Sequence, residues 1–154
     1  MIRHAIKEDI PQILELLKQV NLVHYKARPD IFKKGTKYTQ KEIEELLTLN
    51  DYHILVYADD KNIVKGYCFC IVQQVKESQL LTDIKTLYID DLCVDENCRK
   101  QGIGTALYNQ AVLLAKELGC YNLTLNVWAS NKDALRFYEG LGLKPQKTYL
   151  ENIL

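Results

Sequence analysis

Arg99, Lys100, Gly102 and Gly104 stand together in RKQGIG, between a strand-like run, TLYIDDLCV, and a strongly helical one. Glycines at a strand-to-helix junction remove side chains where the first helical N–H groups point outward, unpaired and partly positive. That arrangement suits a phosphate or pyrophosphate, and the two cationic side chains add compensating charge. Just upstream, Asp90 and Asp91 interrupt an otherwise apolar strand. An isolated carboxylate is costly there, and strand alternation sends the two to opposite faces unless a bulge intervenes. Either one would attract a cationic amine. Downstream, Ser130 or Asn131 in ASNKDA is placed to cap a helix that carries Phe137 and Tyr138.

Two common phosphate loops are excluded. No G-x-x-x-x-G-K-[ST] occurs. A dinucleotide fingerprint needs a third glycine where Leu107 stands, and an acidic residue further on where LTLNV has none. What is left is an R-x-x-G-x-G loop. The five cysteines, Cys68, Cys70, Cys93, Cys98 and Cys120, show no metal-knuckle or redox-dithiol spacing. They read as reduced thiols, and no metal is expected.

The elements around these residues follow from periodicity. MIRHAI suits a first strand, and Ile10, Ile13, Leu14, Leu17 and Val20 give a helix over Lys7–Asn21. Leu22 to Tyr38 reads as a long connection carrying His24, Tyr25, Arg28 and Phe32. Thr39 and Glu42 form a capping box for a short helix that buries Ile43, Leu46 and Leu47. YHILVYA and IVKGYCFCIVQQV, joined by DDKN, predict an antiparallel hairpin, and a third strand covers Thr86–Val94. After the glycine loop comes a helix with Ala106, Leu107, Val112, Leu113 and Leu114 as its apolar face, ending at Gly119. The strand YNLTLNV, the helix NKDALRFYEGLG and a strand-like tail, KPQKTYLENIL, complete the order. Strands and helices in that order predict an α/β (α+β) fold with a mixed sheet and helices on both faces.

YIDDLCVDENCRKQGIGTAL, followed by NVWASNKDALRFYEGLGL, resembles the GNAT superfamily of acyl-CoA-dependent N-acyltransferases. The resemblance covers Thr86 to Leu143 by motif and the N-terminal half by element order. It implies a central, mostly antiparallel sheet that splays at the cofactor site. It implies acetyl-CoA as co-substrate, its pyrophosphate held by Arg99, Lys100, Gln101, Gly102, Ile103, Gly104 and Thr105. The pantetheine arm would pair with the backbone of Leu92 and Val94 and meet Asn131. Tyr138 matches the family's general acid beside the cofactor. Asp90 stands where many members carry a glutamate that accepts the amine proton, with Asp91 as the second choice. The shorter side chain favours a water relay. The connection over Leu22–Tyr38 would wall the acceptor pocket, and Trp128 would line that pocket or fill the core.

Twenty basic and twenty acidic residues cancel, which argues against a nucleic-acid partner. The N-terminus lacks a signal-peptide core and no apolar run approaches a membrane span, so a cytoplasmic protein without a membrane partner is expected. The 154 residues suit a single domain over residues 1–154, and the resemblance implies homodimers. The expected activity is acetyl transfer from acetyl-CoA to a primary amine of a small molecule such as a polyamine, amino sugar or amino acid. Protein N-termini or lysines, and a non-catalytic CoA-binding module, are the alternatives.

Overall fold

Pro11 opens helix α1 (Ile10–Ala27), where its missing N–H is harmless, and Ile10, Ile13, Leu16 and Leu17 form the buried face. The computed structural model describes residues 1–154. Strand β1 (Ile2–His4) and a 3-10 turn over Lys7–Asp9 precede this helix. The helix runs six residues into the stretch expected to be a connection. Leu22 and Val23 are 42 % and 41 % exposed, so the last turns bury no apolar stripe and leave no periodic signal. Helix α2 (Gln40–Leu46) starts on the expected box: the Glu42 N–H donates to Thr39 Oγ1 at 3.2 Å, and the Thr39 N–H to Glu42 Oε1 at 3.1 Å.

The sheet has the order β1-β2-β3-β4-β5, with β2 (Tyr52–Ala58), β3 (Val64–Gln74), β4 (Lys85–Val94) and β5 (Asn122–Leu125). All neighbours are antiparallel except β4 and β5, which are parallel and joined through helix α3 (Ile103–Glu117). Alternation along the strands divides the core in two. Ile54, Val56, Tyr67, Phe69 and Cys93 pack with α1 and α2 on one face. Leu55, Cys68, Cys70, Leu87 and Ile89 pack with α3 on the other. The face of α3 differs from expectation. Ile103, Leu107, Ala111, Leu114 and Ala115 are buried at helical spacing, while Leu113, a third of a turn away from this stripe, is 51 % exposed. Helix α4 (Lys132–Gly140) follows β5.

The strand-like tail forms no strand. Residues 143–154 have no regular structure, and Tyr149 and Leu150 are 99 % and 84 % exposed. Strand propensity needs a paired neighbour and a covered face, and the tail has neither. The five cysteines are free thiols, with Cys68, Cys70 and Cys93 buried. No helix is long and apolar enough to cross a membrane.

Two irregularities lie in β4. Phe69 pairs with Asp91 and Cys70 with Ile89, so Asp90 is the extra residue of a bulge. The pairing of β4 with β5 covers only Thr86↔Asn122 to Ile89↔Leu125, and β4 continues alone to Val94.

Candidate active site

The glycine loop is built as a bare helix terminus. After a 3-10 turn over Glu96–Cys98, the exposed residues Arg99, Lys100 and Gln101 lead to Gly102, whose φ of +79° lies in the left-handed region that favours glycine. No side chain caps α3. The N–H groups of Ile103, Gly104 and Thr105 therefore lack partners in their own helix. A Cβ on Gly102 would meet nothing within 4 Å, whereas one on Gly104 would press Phe137 Cζ at 3.2 Å. Gly104 thus seats the aromatic pair of α4 against the first turn of α3. Phe137 in turn meets Tyr138 edge-on, at 5.1 Å between centroids.

Beyond Ile89 the β5-facing edge of β4, including Leu92 and Val94, has no strand partner. Tyr138 is half-buried, next to the Phe137 that packs on Gly104. Burial, and then the neighbouring Cys68, Asp91 and Cys93, push its hydroxyl well above the usual phenol value. It stays protonated through neutral pH. Asn131 caps α4, its Oδ1 accepting the Ala134 N–H at 3.2 Å, which leaves the Nδ2 donors uncommitted.

The bulge turns both aspartates toward the α1/α2 face. Without it Asp91 would follow Leu87 and Ile89 onto the α3 side; with it Asp91 lies opposite Phe69. Asp90 is fully engaged. Lys37 Nζ lies 2.9 Å from its Oδ1, and the Tyr38 hydroxyl donates to its Oδ2 at 2.5 Å. Asp91 forms no ion pair and accepts the Tyr67 hydroxyl on Oδ2 at 2.8 Å. Burial raises its carboxyl to about 6, although the Tyr67 bond and the charge of Lys37 pull the other way.

The structure gathers His24, Phe32 and Trp128 into one aromatic wall. His24 stacks on Phe32 at 5.0 Å, and Trp128 meets Phe32 edge-on at 5.2 Å. Burial, then the charge of Lys37, lowers the His24 imidazole below its ordinary value. Beside this wall a cleft of roughly 300 Å³ runs between Val23, His24 and Ala27 of α1 and Ser130–Asp133 at the start of α4. Tyr25 and Arg28 stand elsewhere. Tyr25 lies under Lys34, and Arg28 is bound by Asp30 and Glu151.

Sequence reasoning missed Lys37, Tyr38 and Tyr67. A signal existed for Tyr67: a tyrosine inside the buried run GYCFC needs a partner for its hydroxyl, and the carboxylates of the next strand are in reach. Lys37 and Tyr38 had none, because only the fold brings that connection to β4.

A model of the "Acetyltransferase (GNAT) family" matches residues 17–143. An uncharacterised N-acetyltransferase of Methanocaldococcus jannaschii is 27 % identical over 146 residues, 95 % of this chain, and the chain spans 61 % of that relative's length. The tetramutant of the BH1408 protein from Bacillus halodurans has a similar structure, with a TM-score of 0.96 at 30 % identity over 100 % of this chain and 99 % of that one. The aminoglycoside N-acetyltransferase AAC(6')-Iy, in complex with CoA, has a TM-score of 0.76 at 13 % identity over 100 % of this chain and 98 % of its own, a likeness of fold alone.

Proposed function

Since this chain belongs to the acetyltransferase (GNAT) family, we propose that residues 1–154 form a single N-acetyltransferase domain. It moves an acetyl group from acetyl-CoA directly to a primary amine, first of all that of a small molecule. The observation that carries this reading is the open edge of β4 from Asp90 to Val94, leading into the uncapped terminus of α3.

The cofactor fits these residues. The N–H groups of Ile103, Gly104 and Thr105, with Gln101 and Gly102 leading into them, receive a pyrophosphate, and Arg99 and Lys100 add charge. Leu92 and Val94 offer main-chain groups to an extended pantetheine arm, as a missing strand would use them, and Asn131 Nδ2 donates to its amides. When bound, acetyl-CoA supplies an acetyl group activated as a thioester.

The chain's own residues handle the protons. Asp91, rather than Asp90, is the acceptor of the amine proton, directly or through water. Moving a proton from an alkylammonium near ~10 to an ordinary carboxylate near ~4 is uphill by roughly 8 kcal/mol. With the Asp91 carboxyl at about 6 the climb falls to roughly 5 kcal/mol. Asp90, held by Lys37 and Tyr38, provides fixed negative charge. Tyr138 Oη holds a proton at the open edge for the departing thiolate. A thiolate leaving in the same poorly solvated place is more basic than in water, which compensates for the raised phenol.

Calorimetric titration with acetyl-CoA and CoA tests the donor assignment. Saturable binding is expected, and no binding at millimolar concentration would contradict it.

A further inference from the structure

Lys37 and Tyr38 end the connection between α1 and α2, and the chemistry above gives Lys37 no task of its own. Its ammonium nonetheless occupies a specific place. Nζ lies 2.9 Å from Asp90 Oδ1 and 3.0 Å from the Asp90 carbonyl oxygen, at the bulge where β4 becomes unpaired. It stands 6.0 Å from the Tyr38 ring centroid, and the Tyr38 hydroxyl holds the other carboxylate oxygen. Its charge is felt by His24 of the aromatic wall and by Asp91. A primary alkylammonium is thus already seated on Asp90, one residue from the proton acceptor.

The two partners are unequally placed. The Asp90 side chain is 12 % exposed and braced by Tyr38, whereas that of Lys37 is 43 % exposed. The anion belongs to the fold, and the cation lies over it from solvent. A pair with one such exposed partner contributes little, on the order of 0–1 kcal/mol, so another ammonium displaces it at small cost.

We propose that Lys37 is a built-in pseudo-substrate: its ammonium fills the subsite that receives the acceptor's ammonium, and the acceptor binds by displacing it. The acceptor class that follows is a primary alkylammonium on an unbranched aliphatic stem, the chemistry of the lysine side chain itself. This rests on the acetyltransferase reading, with Asp90 as the anchor of the cation and Lys37 as its competitor.

The test uses n-butylammonium chloride, which reproduces the lysine stem, titrated calorimetrically into the full chain and its variants. Lys37→Met should bind it about two- to sixfold more tightly, because a pair worth about 0–1 kcal/mol leaves the site open about one-half to one-sixth of the time, and apparent affinity falls by that open fraction. Lys37→Arg, which keeps the cation, should stay near the wild-type affinity. Asp90→Asn, which keeps an oxygen for Tyr38, should bind about tenfold more weakly. A purely structural latch would move Lys37→Met and Asp90→Asn in the same direction. That result, an unchanged Lys37→Met, or no binding to Lys37→Met at millimolar concentration would overturn the proposal. A parallel acetyl-CoA titration separates this outcome from failure of the donor assignment, since the cofactor cradle uses neither the Lys37 side chain nor the Asp90 side chain.

Discussion

Asp90 and Asp91 are adjacent in the chain and turn toward the same face of β4, yet they end in different surroundings. Asp90 is bonded on both oxygens, by Lys37 and Tyr38. Asp91 has no cation of its own, only the Tyr67 hydroxyl, and burial lifts its carboxyl to about 6. A single extra residue in the strand separates the two surroundings. By leaving Asp90 unmatched opposite β3, the bulge sets one carboxylate against a positive charge and the other beside the Tyr67 hydroxyl, the difference on which the proposed division into charge holder and proton acceptor rests. Alternation would have sent Asp91 among the apolar side chains beneath α3, without Tyr67 to bond it.

The sharpest way to break this division is Asp91→Asn. Turnover should fall by about 10²–10⁴, the usual range for a lost general base. The acid limb of kcat/KM near pH 6 should vanish with it, since the Asp91 carboxyl titrates at about 6. Asp90→Asn should leave that limb in place, and a limb lost in Asp90→Asn instead would reverse the roles. Next in size, Tyr138→Phe should lower kcat by about 10² while CoA affinity measured by calorimetry stays within about twofold. Unchanged turnover would remove Tyr138 as the acid.

Stability offers a third comparison. The Asp91 carboxyl sits at about 6 in the fold against an ordinary value of 3.8. The protonated form therefore favours the fold: that contribution is complete below the ordinary value and is lost as pH rises through about 6. At pH 8 Asp91→Asn should be more stable than wild type by about 2–3 kcal/mol in denaturant unfolding, an advantage that disappears toward pH 4. No gain at pH 8 would mean that the carboxylate is not buried at a cost. The smallest effect belongs to Tyr67→Phe, which removes one hydrogen bond to the ionised Asp91. The acid limb should move up by about 0.5–1 unit, the equivalent of roughly 1 kcal/mol. A downward shift would contradict the bond's direction.

Much of this was legible in the residues. RKQGIG between a strand and a helix, the Thr39–Glu42 box and the cap of α4 are local patterns, and each formed where its chemistry placed it, with Asn131 rather than Ser130 taking the cap. The two aspartates were legible as misplaced charges, but their shared face was not, because a bulge is settled by register across β3. The end of α1 was hidden for another reason. Periodicity reports burial, and Leu22 and Val23 stay largely exposed while remaining helical. The tail failed in the opposite sense: TYLENIL has strand composition and finds no strand to pair with. Lys37 and Tyr38 lie far from Asp90 in sequence, and only packing of the α1–α2 connection onto β4 makes them neighbours.

The most direct test of the central claim is release of free thiol from acetyl-CoA by the wild-type chain. It would be followed with a panel of primary alkylamines, amino sugars, amino acids and peptides, and the acetylated product identified by mass spectrometry. Amine-dependent thiol release with a matching N-acetyl product, strongest for an unbranched alkylamine, is the predicted result. Thiol release no faster than the enzyme-free blank with every amine would contradict the account.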